Sequence, residues 1–591
     1  MADAAVQRRP GCTGLTRGWI RALSLLAALL LPGLATVPAQ AARCDPGDPG
    51  RRFDLIVYGD EPPGIMAALA TAALGPRLRS GRRPRVALVR EEADATPLGG
   101  TISRAGLAYL DRNQLPWDQW IWRLNHLAPS SRLYARFLTL VGTDGVAADP
   151  RRSDQGFRAA LAREGVKLLS AAGLQGVERQ GKRICALRTR RHGSLWADQV
   201  IDASLGADLA HRSGVAFNSG LGEGPLAAES LALGWIFELR GLSLERFRDL
   251  ERQLTARLLD PDDREAQAWL RAWPTFRGQP DSLRRALLDP LLQPRVAISW
   301  SHDSADQVSP ALAIAFHGET GIPPGLVRSP VRLDLANIAQ LPDGLSVNAL
   351  LLRNDASQNR RVLAGGSRPL GWMGPYQRAV SAFFRRHGAR EVRWSPRLYV
   401  RVADQLRHPR QELSVARITA GGVPALESVG TFTYGLDIRG GLRHRVRLPH
   451  GPIPFNVGIR HTLPTELDNL AVLGPSGGFG GLGVGAGRII ELNVTVGQGL
   501  ACAIGLALDR QQDLATIDPT EVHRSLRWDA VPYGRPLAES PPQALARWWQ
   551  HSLTTLGWRL GGRPGSGLAP AAAAQRCAME PTDQGSRSAR G

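Results

Sequence analysis

The segment Phe53-Asp54-Leu55-Ile56-Val57-Tyr58-Gly59-Asp60-Glu61-Pro62-Pro63-Gly64-Ile65-Met66 decides the fold. Its first six residues form a short apolar run, as in a strand buried on both faces of a parallel sheet. Residues 64–74 read as an apolar helix and 85–89 as a second buried strand. The order strand, tight turn, helix, strand is the opening of a βαβ unit. Such a turn aims backbone N–H groups and the positive end of a helix at an anion. Gly59 permits the turn, Gly64 permits close packing of helix on strand, and Pro62 or Pro63 suits a first helical turn that needs no amide donor. The middle glycine of a full GxGxxG is replaced by Glu61, so an ordinary strand-turn-helix is the plain alternative. Dinucleotide sites want an acid at the end of the second strand for a ribose. Arg90 holds the expected position, with Glu91 and Glu92 just after it.

Three more segments follow in order: Leu98-Gly99-Gly100-Thr101, then Val200-Ile201-Asp202-Ala203-Ser204-Leu205-Gly206-Ala207-Asp208, then Asn469-Leu470-Ala471-Val472-Leu473-Gly474 leading to Gly485-Ala486-Gly487-Arg488-Ile489. Together with the first turn they resemble the FAD-dependent oxidoreductase family of the glutathione-reductase-like structural class, over roughly residues 53–510. The resemblance implies an α/β fold: a discontinuous Rossmann-like FAD-binding domain, doubly wound, with an inserted α+β substrate domain. It implies non-covalent FAD, and cofactor contacts at Gly59, Glu61, Pro63, Gly64, Glu91, Gly99, Gly100, Asp202, Ala203, Gly474, Gly485, Gly487 and Arg488. The family tolerates a non-glycine residue at the position of Glu61. The chain departs from the family pattern where Ser204-Leu205 replaces the usual Thr-Gly and where Pro475 stands in place of a common Arg. The implied reaction is hydride transfer between flavin and a small organic substrate that the resemblance does not identify. A nicotinamide-dependent oxidoreductase and a non-catalytic protein that keeps the fold are the other readings. The glycine-rich run before the closing helix favours flavin, since amides at a helix start stabilise negative charge on a reduced flavin.

Flavin carries the redox chemistry, so the protein must orient substrate and move a proton. Tyr399, Arg401 and His461 are the catalytic candidates, with Tyr434, Asp437 and Arg460 in neighbouring segments. His461 has the side-chain type that titrates near neutrality, and the Arg set suits a carboxylate. A structural role is the alternative for each one.

The domain reading is a signal peptide at 1–41, a linker at 42–52, the first parts of the FAD-binding domain at 53–212, a substrate domain at 213–462, and the closing strand and helix at 463–510. A helical segment at 511–560 and a disordered Gly/Pro/Ala/Ser tail at 561–591 complete it. Within these limits, strands are expected at 166–169, 174–177, 184–190, 199–203, 234–239, 311–316, 345–352 and 469–474. Helices are expected at 157–164, 244–259, 375–387 and 488–508. Arg8, Arg9, Arg17 and Arg21 precede an apolar stretch and the small-residue site Ala39-Gln40-Ala41, which implies export to the periplasm or beyond. A twin-arginine route and a retained signal anchor are both open, and no other integral membrane domain is expected. The net charge of +20 comes from scattered Arg, with Lys167 and Lys182 the only lysines, and no clustered basic face points to nucleic acid. Trp117, Trp120 and Trp122 form an aromatic segment in which the spacing of 117, 120 and 124 suits one helical face, read as core packing, with an aromatic substrate wall as the alternative. Five cysteines show no metal-ligand spacing, and Cys185 and Cys502 are expected to be buried and inert. Oligomeric state leaves no mark in the sequence.

Overall fold

The computed structural model describes Cys44, residues 48–526 and Cys577, apart from 76–77, 115–127, 129, 144, 223, 274–279, 290, 297–309, 327–328, 403, 440–441, 444–445 and 450. The signal segment, the tryptophans of 117–122 and the C-terminal segments from 527, Cys577 excepted, lie outside the described residues.

A seven-stranded sheet carries the first half of the fold. Its strands are β1 (Arg52–Tyr58), β2 (Val86–Val89), β3 (Lys167–Leu169), β4 (Leu174–Gln180), β5 (Arg183–Thr189), β6 (Gly193–Asp202) and the Leu470–Val472 strand. The order is β3-β2-β1-β6-β5-β4, and Leu470–Val472 also pairs with β6. The β1–β2, β1–β6, β2–β3 and β6–470s pairings are parallel, while β4, β5 and β6 form an antiparallel meander. Alternate residues of β1 enter different cores: Leu55 and Val57 pack with the helices on one face, Ile56 and Tyr58 with the other. That two-sided burial is why the strand reads as an unbroken apolar run.

The Pro62–Ala72 helix covers the first face and packs against the Ile490–Arg510 helix. The latter is long and apolar enough to cross a membrane, but 94% of its most apolar window is buried inside the protein, so its hydropathy is that of a core helix. It begins at Ile490 because Ile489 adopts an extended backbone (ψ 133°), which separates it from the short Val484–Gly487 helix.

The inserted region builds a four-stranded antiparallel sheet in the order Glu391–Trp394, Leu233–Arg240, Gly344–Leu352, Val331–Leu341. It shares a second large core with the Leu244–Leu259, Arg264–Ala272, Pro310–Thr320 and Gly374–Arg386 helices. The strand expected at 311–316 is instead the middle of the Pro310–Thr320 helix. Every residue from Pro310 to His317 is buried, so the run is apolar all round and its periodicity carries no direction. Three alanines in it favour helix over strand.

Cys185 and Cys502 are buried as expected, but they are not free thiols: Cys44 pairs with Cys185, and Cys502 with Cys577. The sequence separations of 141 and 75 residues hide both pairings from any spacing rule.

Helix and sheet meet without clearance at Gly64, where an added Cβ would lie 2.3 Å from the Cβ of Ala203. Gly64→Val should destabilise the protein by about 1–3 kcal/mol, the usual range for overpacking. Urea denaturation checks this, and an unchanged midpoint would remove the contact from the list of constraints.

Candidate functional site

The parallel register brings four chain crossings to one edge of the sheet. Tyr58 pairs with Val89 and with Asp202, and Asp202 pairs with Val472. Gly59, Arg90, Ala203 and Leu473 therefore leave the sheet side by side at its carboxyl edge, where open α/β sheets bind ligands. A crevice opens there, lined by residues of the Gly59–Glu61 turn, Glu91, Glu92, the Gly100–Ala105 turn, Ser204–Gly206 and the 363–367 and 397–398 segments. Gly59 has φ 94°, and a Cβ on it would lie 2.3 Å from the Ser204 nitrogen. Only glycine fits both demands.

Charged side chains brace this turn. Asp60 takes the Arg104 guanidinium on both oxygens (Nη2–Oδ1 2.7 Å) and Arg90 Nη1 at 3.2 Å. Burial pushes the Asp60 carboxyl up, but Arg104 and Arg90 outweigh it and hold it below its ordinary range. Arg90, where a ribose-binding acid would be expected, is fully buried and clamps Ser170 Oγ and the carbonyls of Ala93 and Thr96. Glu91 lines the crevice, and its carboxylate accepts from Tyr58 Oη (2.8 Å) and from the amides of Gly173 and Leu174. Glu61 caps the Gly99–Gly100–Thr101 turn by accepting from Thr101. Asp202 turns away from the crevice to hold Ser204 N, Ser204 Oγ and Ala210 N, and burial raises its carboxyl to about 7.

A second cluster joins distant segments. Arg488, just before the Ile490–Arg510 helix, donates to Tyr399 Oη at 3.0 Å and to Asp437 Oδ2 at 2.6 Å. Arg439 Nε lies 3.1 Å from the same Asp437 oxygen. The Arg401 guanidinium lies 4.6 Å from the Tyr399 ring centre and donates to Ala232 O at 2.7 Å, while its Nε has no partner among the described residues. Burial lowers Arg401 to about 10, so it is still charged at neutral pH. Burial would raise Asp437, but Arg439, Arg488 and Arg401 pull it down to about 2. Three cations thus surround one carboxylate. Arg439 was not singled out from the sequence; its backbone sits at φ 50°, unusual outside glycine.

The structure brings Tyr399, Arg401, Asp437 and Arg488 together and places His461 elsewhere. The His461 ring is 1% exposed and lies 4.8 Å from the Phe479 ring centre, and neither ring nitrogen has a hydrogen-bond partner among the described residues. Burial lowers it to about 4, so it is neutral at ordinary pH. His461, the candidate general acid or base, thus sits in a buried setting beside Phe479. Phe479 also fills the space left by Gly487, and Gly485 lets the backbone of Leu436 approach to 3.1 Å of where its Cβ would be. These two glycines pack segments of the protein together, whereas Gly474 (φ 138°) has nothing within 4 Å of a Cβ position.

A family model described as FAD dependent oxidoreductase matches residues 54–526. No curated protein matches the chain. Among solved structures, AlpK is 12% identical with a TM-score of 0.32, over 86% of this chain and 75% of that one. An L-amino acid deaminase from Proteus vulgaris is 14% identical with a TM-score of 0.23, over 35% of this chain and 57% of its own. NikD, an unusual amino acid oxidase, is 12% identical with a TM-score of 0.21, over 33% of this chain and 59% of its own. The chain thus spans little more than half the length of the deaminase and of NikD, and these likenesses are too distant to carry substrate or mechanism.

An FAD fits the crevice by two observations: the Gly59 turn admits no side chain, and Glu91 lines the crevice with a carboxylate. Glu61 occupies the Thr101 donors that an anion would use.

Because Asp437 is depressed in the folded state, it contributes stability that is complete above the unfolded carboxyl pKa of roughly 3.9 and is lost as pH falls through about 2. Denaturation of wild type and Asp437→Asn from pH 2 to 6 should show a gap that closes toward pH 2. A gap independent of pH would remove the ion cluster from the account.

Proposed function

This chain belongs to the FAD-dependent oxidoreductase family, and we propose that it transfers a hydride between a non-covalently bound flavin and a small organic substrate bearing negative charge. The observation that carries the reading is the cluster of Arg401, Arg439 and Arg488 around Tyr399 and Asp437 at the start of the Ile490–Arg510 helix. When bound, FAD supplies two-electron redox chemistry. Gly59, Gly99, Gly100, Glu91 and Gly474 would hold it, with Arg104 and Arg397 at the mouth of the crevice.

Tyr399 receives a hydrogen bond from Arg488, so its own O–H stays available as a donor to substrate. Asp437 pairs with Arg439 and Arg488, and Asp334 and Asp111 also act on them, so a carboxylate or oxyanion of the substrate would be met by the guanidinium donors themselves. Arg401, 2% exposed, keeps its charge in a place largely closed to water, where it acts with little screening.

The purified protein should show a flavin spectrum that bleaches with a reductant, and Gly59→Leu should abolish flavin retention. A protein that neither contains nor takes up FAD would sink the reading. Tyr399→Phe should retain FAD and lower kcat by about 10²-fold, the lower range for loss of a positioned proton donor. Undiminished kcat in that variant would take Tyr399 out of the chemistry.

We further propose that residues 1–41 direct export and are removed. Two disulfides support this, since such bonds persist in oxidising compartments. Mature protein recovered from the exported fraction should begin at Ala42; a chain that keeps Arg8 and Arg9 would count against cleavage.

A further inference from the structure

The first helical turn in the crevice cannot serve an anion in the ordinary way. Pro62 and Pro63 have no amide donors, and the next two amides, of Gly64 and Ile65, both point to Glu61 O at 2.9 and 3.2 Å. The facing Gly100–Thr101 segment also lines the crevice. There the half-buried Glu61 side chain is already seated. Its Oε2 accepts from Thr101 N at 3.0 Å and from Thr101 Oγ1 at 2.7 Å, and its Oε1 lies 2.0 Å from where a Gly100 Cβ would be. The carboxylate fills the notch beside Gly100.

We propose that Glu61 competes with the FAD diphosphate for the Thr101 donors, so that loading the cofactor takes up one proton at this carboxyl. The proposal rests on the FAD reading above. An ionised Glu61 would set a third negative charge against a diphosphate in a poorly solvated place. With a proton taken from solvent, the carboxyl gains an O–H that donates to a phosphate oxygen, and the repulsion becomes a hydrogen bond. The neighbouring charges set the balance. Burial pushes Glu61 upward, and Asp60 adds to that push; Arg104 and the two bonds from Thr101 oppose it, and the net effect is upward. Arg90 and Arg104 both form their ion pairs with Asp60, so Arg104 acts on Glu61 only at longer range. Glu91, Glu92, Asp208 and Arg397 are the remaining charged groups around the crevice.

The experiment is a titration of the FAD-stripped full chain with FAD between pH 5.5 and 8.5, followed by quenching of FAD fluorescence. In wild type, Kd should rise with pH toward the limit of tenfold per unit set by one coupled proton. Glu61→Gln keeps an acceptor for Thr101, adds a donor and carries no charge. It should bind FAD with a flat pH profile, at least tenfold more tightly than wild type at pH 8.5. Thr101→Val removes one bond to the ionised carboxyl and should move the wild-type break to higher pH. A flat wild-type profile, or a slope that persists in Glu61→Gln, overturns the proposal while leaving FAD binding intact. Failure of both proteins to bind FAD at every pH overturns the cofactor reading and this proposal with it.

Discussion

The structure depends on a contact in which there is no room for a side chain: the turn after β1 lies directly on the end of β6. Gly59 abuts the Ser204 nitrogen, and Gly64 abuts Ala203. Through these two positions, one strand end sets both the direction of the Pro62–Ala72 helix and the depth of the crevice. That helix in turn supports the Ile490–Arg510 helix, whose own Gly497 would place a Cβ 3.4 Å from Pro63 O. A chain of close approaches thus runs from the first strand to the last long helix, and the two ends of the cofactor-binding domain are locked by geometry rather than by charge.

Charge is used for a different purpose. The buried carboxylates of both clusters are paired, Asp60 with Arg90 and Arg104 and Asp437 with Arg439 and Arg488, and a third, Glu491 in the Ile490–Arg510 helix, is held by Arg112, Asn113 and Ser130. Leaving such a group unpaired is costly, so these networks hold loops in one conformation even where their net contribution to stability is small. The Arg excess of the sequence is partly explained here, as arginine spent on internal bracing of turns. Its planar fork can hold several acceptors at once, as Arg90 does.

The four ordered glycine-bearing segments were legible because close backbone approach demands a particular residue at a particular place. The strands of the parallel sheet were legible because two-sided burial makes an unbroken apolar run. The helix at Pro310–Thr320 was misread for the converse reason: buried on every side, it lacks a polar stripe to mark its period. The Tyr399, Arg401 and Asp437 segments were found, but not their assembly, since each is far from Arg488 in sequence. His461 was chosen by side-chain type, and only the tertiary structure showed how deeply its ring is buried.

By itself, the sequence determined the βαβ opening, which follows from local rules of strand patterning, turn chemistry and positions where only glycine fits. The cofactor class followed from the family resemblance that four ordered segments carry. The tertiary structure alone decided which charges meet. Whether Glu61 faces solvent or Thr101, whether Arg90 touches a ribose or braces Asp60, and whether cysteines 141 residues apart pair, all depend on contacts between remote segments. A side chain's charge is written in the sequence, but its partner and its solvation are set only when the chain closes.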